Sequence, residues 1–220
     1  KAAVLAERGG VFAICHARGG GELGEPWRKA GFQATKHRTW EDTIACGEWL
    51  VQNGYTSPDY LGVSGGSAGG ITVGNAIVER PDLFAVAFSF VGVHNTLRSQ
   101  TMPTGPANIP EYGDAATEEG FRSLLAMDSY LKVKDGVRYP ATLLITGLND
   151  PRVSSWQPAK MAARLQAATT GPEPVLMRID GNDGHGVGSA QPQREAQDAD
   201  QLAFLFAHTG KGARRGPGGD

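Results

Sequence analysis

The sequence predicts an α/β fold, a mostly parallel β-sheet with helices on both faces. Three observations support it. Short β-rich runs alternate with helical patterns along the chain, as in a sheet built from strand–helix–strand units. Those runs are almost continuously apolar, as strands buried on both sides require. A chain of 220 residues, 40% hydrophobic and 20% charged, can also bury such a core, in one domain or at most two small ones.

The expected strands are residues 11–15 (VFAIC), 60–64 (YLGVS), 85–91 (AVAFSFV), 142–146 (TLLIT) and 175–179 (VLMRI). Helices are expected over residues 40–53, 68–79, 117–127, 157–168 and 193–208. Thr39, with Asp42 three residues on, reads as a variant capping box for the first of these. The opening KAAVLAERGG reads as the middle of a helix, without Met or a secretory segment, so the start of the chain need not be the start of the gene. No repeat period is visible. Residues 1–209 are expected to form one catalytic domain, and the tail 210–220 (GKGARRGPGGD) holds too little apolar content to order itself.

Composition narrows the function. Asp plus Glu (23) outnumber Lys plus Arg (21), for a net charge of -2, so no basic face for nucleic acid is expected. No apolar run approaches the length that spans a bilayer, and no membrane partner is expected. Cys15 and Cys46 read as buried thiols rather than a disulfide framework, which points to a reducing compartment, the cytoplasm, with the periplasm as the alternative. There is no His-x-x-x-His or paired Cys-x-x-Cys spacing, and neither metal nor cofactor is expected.

The stretch LGVSGGSAGG carries the chemistry. Its GGSAG matches Gly-x-Ser-x-Gly directly between an expected strand and an expected helix, the setting of a nucleophile elbow. Gly65 and Gly69, lacking β-carbons, would let the turn close around Ser67. The Ala68 amide would then point from a helix N-terminus at an oxyanion formed on the serine. The plain alternative is a glycine-rich strand-to-helix turn, since short glycine-serine motifs arise by chance.

A serine hydroxyl needs a base and an orienting acid. Asp150 follows strand 142–146 in GLNDPRV, and His185 follows strand 175–179 in DGNDGHG, giving the hydrolase order of serine, acid, histidine. His16, His37 and His208 read as surface or packing residues. His94, in VGVHN, is the fallback base. Asp180 and Asp183 are alternative acids, better read as turn residues. GGGELG at residues 19–24 satisfies Gly-x-Gly-x-x-Gly, with Asp42 about twenty residues on, as a dinucleotide turn would. Pro26 follows at once, however, and no helix N-terminus is expected there to receive a pyrophosphate.

Taken together, RGGGELGEPWRKAG, LGVSGGSAGG, ERPDLF, YPATLLITGLNDPRV and GHG resemble the catalytic domain of the prolyl oligopeptidase family, including its oligopeptidase B branch, over nearly the whole chain. The resemblance implies an α/β-hydrolase fold with Ser67 as nucleophile, His185 as base and then acid, Asp150 as orienter and Ala68 as an oxyanion donor. It implies further that Arg152 holds a substrate carbonyl and that Val93, Tyr112 and Val153 line the pocket before the cleaved bond. Asn108 falls where prolyl-specific members carry a tryptophan. The family's propeller domain, its first hydrolase strands and the tyrosine of the second oxyanion donor have no counterpart in the chain. In the resembling fold a strand lies between residues 11–15 and 60–64, so the gap is expected to be filled by an N-terminal segment or by another copy in a homo-oligomer, failing which those two strands pair directly. The function expected is a serine peptidase acting on short peptides. A small carboxylesterase is the alternative, and a non-catalytic relic stands beneath both.

Overall fold

A computed structural model describes residues 2–181, 183–186 and 191–210. Four parallel strands form one sheet in the order β1 (Gly62–Gly66), β2 (Val86–Phe90), β3 (Ala141–Gly147) and β4 (Val175–Asp180). Each strand pairs with the next in sequence, Val63 opposite Ala87, Phe88 opposite Leu143 and Leu144 opposite Met177. Parallel neighbours need a crossover across a sheet face, and the helices between them supply it.

Alternation along β2 and β3 sorts the two faces. Val86, Phe88, Ala141, Leu143 and Ile145 cluster under Phe204 of α9 (Gln191–His208). Ala87 and Leu144 belong to the larger core, built with α3 (His37–Gln52), α4 (Gly69–Glu79), α6 (Glu118–Met127) and α8 (Trp156–Ala168). Every residue of β3 is buried, which is why its sequence is apolar without alternation. The remaining helices are short: α1 (Ala2–Glu7), α2 (Glu25–Ala30), α5 (Ile109–Tyr112) and α7 (Ser129–Lys132). Among the described residues, side chains cap α6 and α7. Thr117 Oγ1 accepts the Gly120 N–H at 3.1 Å for α6, and Asp128 Oδ1 accepts the Leu131 N–H at 3.0 Å for α7.

Four of the five expected strands form, and residues 11–15 do not. They join no ladder and expose Val11, Phe12 and Ile14. A β-rich run becomes a strand only beside a partner, and among the described residues β1 pairs with β2 alone. Direct pairing of residues 11–15 with β1 therefore does not occur, and among the described residues nothing pairs with the outer edge of β1. β1 itself starts two residues later than expected, because Pro58–Tyr60 form a 3₁₀ turn, and it runs straight into GGSAG.

Other local expectations also change. α3 begins at His37, so Thr39 sits inside its first turn and does not cap it. The Thr39 hydroxyl donates to Arg18 O at 2.6 Å, and Asp42 holds the Arg18 guanidinium at 2.8 and 2.5 Å, so both residues anchor the incoming chain. Directly behind GGGELG a helix does start, with Pro26 in its first turn, where the missing N–H breaks no helical bond. That helix has 6 residues and no strand precedes it, so the glycines are not a dinucleotide turn. Cys15 lies in a loop rather than a strand, and both cysteines are half-buried free thiols. The Cys15 thiol is pushed up to about 12 by burial and by the neighbouring Cys46. The tail expected to be disordered falls, from residue 211 on, outside the described residues.

Gly70 marks a close approach of two backbones in the core. A Cβ there would come within 2.5 Å of Gly92 Cα and 2.6 Å of Val93 N. Backbone cannot swing aside as a side-chain tip can. Gly70→Ala is expected to lower stability by about 1–2 kcal/mol, overpacking outweighing alanine's gain in helix propensity. Urea unfolding measures it, and an unchanged midpoint would show that the 91–93 backbone yields freely.

Candidate active site

Ser67 stands between β1 and α4 with φ 56°, in the left-handed region that side chains rarely occupy. Hydrogen bonds to the end of β2 hold it there. Its N–H donates to Phe90 O at 2.8 Å, and its carbonyl accepts the Val93 N–H at 3.0 Å and the Gly70 N–H at 2.9 Å. Of the motif's glycines, Gly65 is sterically required, since a Cβ would lie 2.8 Å from Gly69 O. Gly69 faces open space, and the close approach expected of it is made by Gly70. The Ala68 N–H lies at the start of α4, where the first N–H groups have no intrahelical acceptor.

The loops after β3 and β4 are zipped together. Leu148 N–H donates to Asp180 O at 3.0 Å, Asn149 N–H to Asp183 O at 3.2 Å, and Asn149 Nδ2 to Gly181 O at 2.8 Å. Gly147 permits this, because a Cβ there would strike the Asp183 and Gly184 carbonyls. The zipper carries Asp150 and His185 to one another. His185 Nδ1 lies 2.7 Å from Asp150 Oδ2, and His185 Nε2 lies 3.0 Å from Ser67 Oγ. Asp150 Oδ1 accepts the Arg152 and Val153 N–H groups at 2.8 and 2.9 Å, so its buried carboxylate is matched by three donors. An ionised carboxylate only accepts, so Nδ1 carries the imidazole proton and Nε2 is left to accept from the serine hydroxyl. Such an arrangement can take a proton from Ser67 as it attacks and return it to a leaving group.

Val93, Tyr112 and Val153 are all buried in the main core cluster, Val93 following β2 and Val153 following Asp150. Burial pushes the Tyr112 phenol up to about 12. Arg152 is exposed, and its carbonyl accepts the Thr104 hydroxyl at 2.8 Å. Asn108 is half-buried, its Nδ2 donating to Thr104 O at 3.3 Å, so Thr104 joins the Asn108 turn to the acid loop. Sequence reasoning missed Thr104, Gly70 and Gly147, since each acts through a contact distant in sequence. A glycine closing a strand before an acidic loop was the available signal for Gly147.

The alternatives lie elsewhere. His94 is 1% exposed, and its Nε2 meets Ser89 Oγ at 2.9 Å rather than Ser67. Asp180 pairs with Arg178 and Asp183 accepts from Gln197 Nε2 at 2.9 Å, so neither is the partner of His185. His16 meets Glu22, His37 meets Ala34 O and His208 meets Glu173. Among the described residues no group of His, Cys, Asp and Glu could hold a metal, and no helix is long and apolar enough to cross a membrane. A cleft of about 220 Å³ between Gln33, Ile109 and Glu119 holds no triad residue, whereas one of about 120 Å³ is lined by His185, Val91 and Asp183.

The sequence has clear relatives. A prolyl endopeptidase of Elizabethkingia miricola is 41% identical over 209 residues, covering 94% of this chain and 30% of its own length. Protease 2 of Moraxella lacunata is 34% identical over 211 residues, with the same 94% and 30% coverage. The structure of oligopeptidase B from Leishmania major matches with a TM-score of 0.88 at 33% identity, over 92% of this chain and 28% of that one. The chain thus spans about 30% of the length of the curated relatives it matches. The model of the prolyl oligopeptidase family aligns with residues 1–212, from the helix ahead of the first glycine cluster to the end of α9, and with its α/β-hydrolase sheet the chain belongs to that family.

Proposed function

We propose that the chain is the catalytic portion of a serine peptidase that cleaves short peptides through an acyl-enzyme. The observation that carries this reading is the unbroken line from Ser67 Oγ through His185 to Asp150, at 3.0 and 2.7 Å. Ser67 Oγ attacks the scissile carbonyl as its proton passes to His185 Nε2, and the imidazolium is stabilised by the Asp150 carboxylate. The Ala68 N–H faces the developing oxyanion. His185 then protonates the leaving amine, the C–N bond breaks, and water, deprotonated by the same nitrogen, hydrolyses the acyl-serine. Arg152 would hold a substrate carbonyl beside the acid loop, and Val93, Tyr112 and Val153 would shape the pocket before the cleaved bond. The relatives named prolyl endopeptidase support peptides as the substrate class.

An esterase using the same triad is the second reading. Gly66 and Ala68, on either side of Ser67, are exposed, which suits small substrates. An ester also has a better leaving group than an amide and relies less on oxyanion donors, each worth about 3 kcal/mol to a transition state.

Hydrolysis of a p-nitrophenyl ester and of a short peptide amide, compared in the parent and in Ser67→Ala, tests both readings. Loss of several orders of magnitude is expected on both substrates, with the fold intact by circular dichroism. A serine-directed phosphonate is expected to label Ser67 alone on a peptide map. Activity kept within about tenfold of the parent would remove Ser67 from the chemistry, and ester cleavage without amide cleavage would favour the esterase.

Asn108→Trp provides a separate test of the pocket. Burying one or two more methylenes of a proline ring against the indole is worth about 0.8 kcal/mol each, so the kcat/KM ratio of a prolyl over an alanyl peptide is expected to rise about 4- to 15-fold. An unchanged ratio would place residue 108 outside the pocket.

A further inference from the structure

Behind the nucleophile helix lies a buried polar cluster that the triad does not use. His94, Ser89 and Ser129 are each at most 1% exposed. His94 Nε2 is 2.9 Å from Ser89 Oγ on β2, and His94 Nδ1 is 3.4 Å from Ser129 Oγ at the start of α7. Ser129 Oγ also donates to His94 O at 3.3 Å. One assignment satisfies every group: Ser129 donates to the carbonyl and accepts from Nδ1–H, and Ser89 donates to Nε2. Burial holds the imidazole down to about 3, so the ring stays neutral and this pattern persists at any ordinary pH. Gln157 clamps the adjoining backbone, its Oε1 accepting the His94 and Asn95 N–H groups at 3.0 and 2.7 Å.

The ring occupies space that glycines leave open. A Cβ on Gly74 would strike Ser129 Oγ and lie 2.8 Å from His94 Nδ1, and one on Gly92 would strike Ser89 Oγ and lie 2.9 Å from His94 Nε2. The imidazole is thus wedged between β2, α4 and α7. The residue before it, Val93, donates its N–H to the Ser67 carbonyl at 3.0 Å, on a segment that also holds Val91 at φ 44°. The Ser67 carbonyl and the Ala68 N–H belong to one planar peptide unit, so fixing the first aims the second.

We propose that His94 is a positioning residue, whose doubly hydrogen-bonded ring holds Val93 against the Ser67–Ala68 peptide and so aims the Ala68 N–H at the oxyanion. The proposal rests on the serine-hydrolase reading of the site. Its consequence is a loss in kcat rather than in substrate binding, because the donor is engaged only as charge develops.

The test separates aiming from packing. His94→Phe keeps a ring but strands the buried Ser89 hydroxyl and leaves that of Ser129 only the residue-94 carbonyl, which destabilises the chain. The triple variant His94→Phe/Ser89→Ala/Ser129→Ala removes those hydroxyls too, and its stability is expected to return towards the parent value. Urea unfolding is measured beside kcat and KM on the p-nitrophenyl ester. We expect the triple variant to regain stability while its kcat stays at least about tenfold below the parent, with KM within about twofold. Recovery of kcat together with stability would reduce His94 to packing and overturn the proposal. If the triple variant does not fold, Ser89→Ala decides in its place: it deletes one hydrogen bond and little volume, about a threefold fall in kcat is expected, and an unchanged kcat overturns the proposal. A parent that hydrolyses no ester or amide overturns both the proposal and the reading beneath it, whereas an active parent with unaffected variants overturns the proposal alone.

Discussion

The structure turns on one peptide group, the one between Ser67 and Ala68. Its carbonyl is held by Val93 and Gly70, and the serine N–H by Phe90, so the elbow is fastened to the end of β2 rather than merely following β1. Those bonds keep Ser67 at φ 56° and bring the backbones of α4 and the 91–93 segment into contact. At this contact Gly70 has no room for a Cβ against Gly92, and beside it Val91 takes a positive φ. A strained serine persists only where its surroundings over-determine it, and here strand, helix and following loop all do.

The acid and base obey a second, independent constraint. In a parallel sheet all carboxyl ends emerge along one rim, so the residues after β1, β3 and β4 meet there without any long excursion of the chain. The rim alone would leave Asp150 and His185 merely neighbours. The backbone zipper between their loops and the two N–H groups on Asp150 Oδ1 turn neighbourhood into a 2.7 Å hydrogen bond. Asp150 is thereby a buried charge whose acceptors are met by the chain itself, and this fixes which nitrogen of His185 faces the serine.

Much of this was legible from residue types and spacing. Four strands stood out as apolar runs, the long helices between them by their patterns, and the meeting of Ser67, Asp150 and His185 because a motif, its setting and the order of its partners agreed. Residues 11–15 show where this kind of reading fails. Val11, Phe12 and Ile14 have the composition of a strand, but a strand is defined by what lies beside it. Pro26 by itself argues against a helix behind the glycines, although in the first turn of α2 it fits the helix. Gly70, Gly147 and Thr104 were not legible, because each matters through an atom far away along the chain: Gly92 Cα, the Asp183 carbonyl and the Arg152 carbonyl. α5 and α7, of four residues each, are too short for any periodicity to show.

The sequential order of the sheet bears on how the chain comes off the ribosome. Each strand's partner is the next one made, so the sheet can grow by one strand–helix–strand unit at a time as synthesis proceeds. Ser67 is made before the imidazole that it faces, which lies 118 residues downstream, and Phe204, which closes the second face, comes later still. Until that imidazole is in place the hydroxyl is an ordinary alcohol. On the proposed function, reactivity arrives only once β4 and the loop behind it are made, so the segments between Ser67 and His185 grow beside an inert hydroxyl.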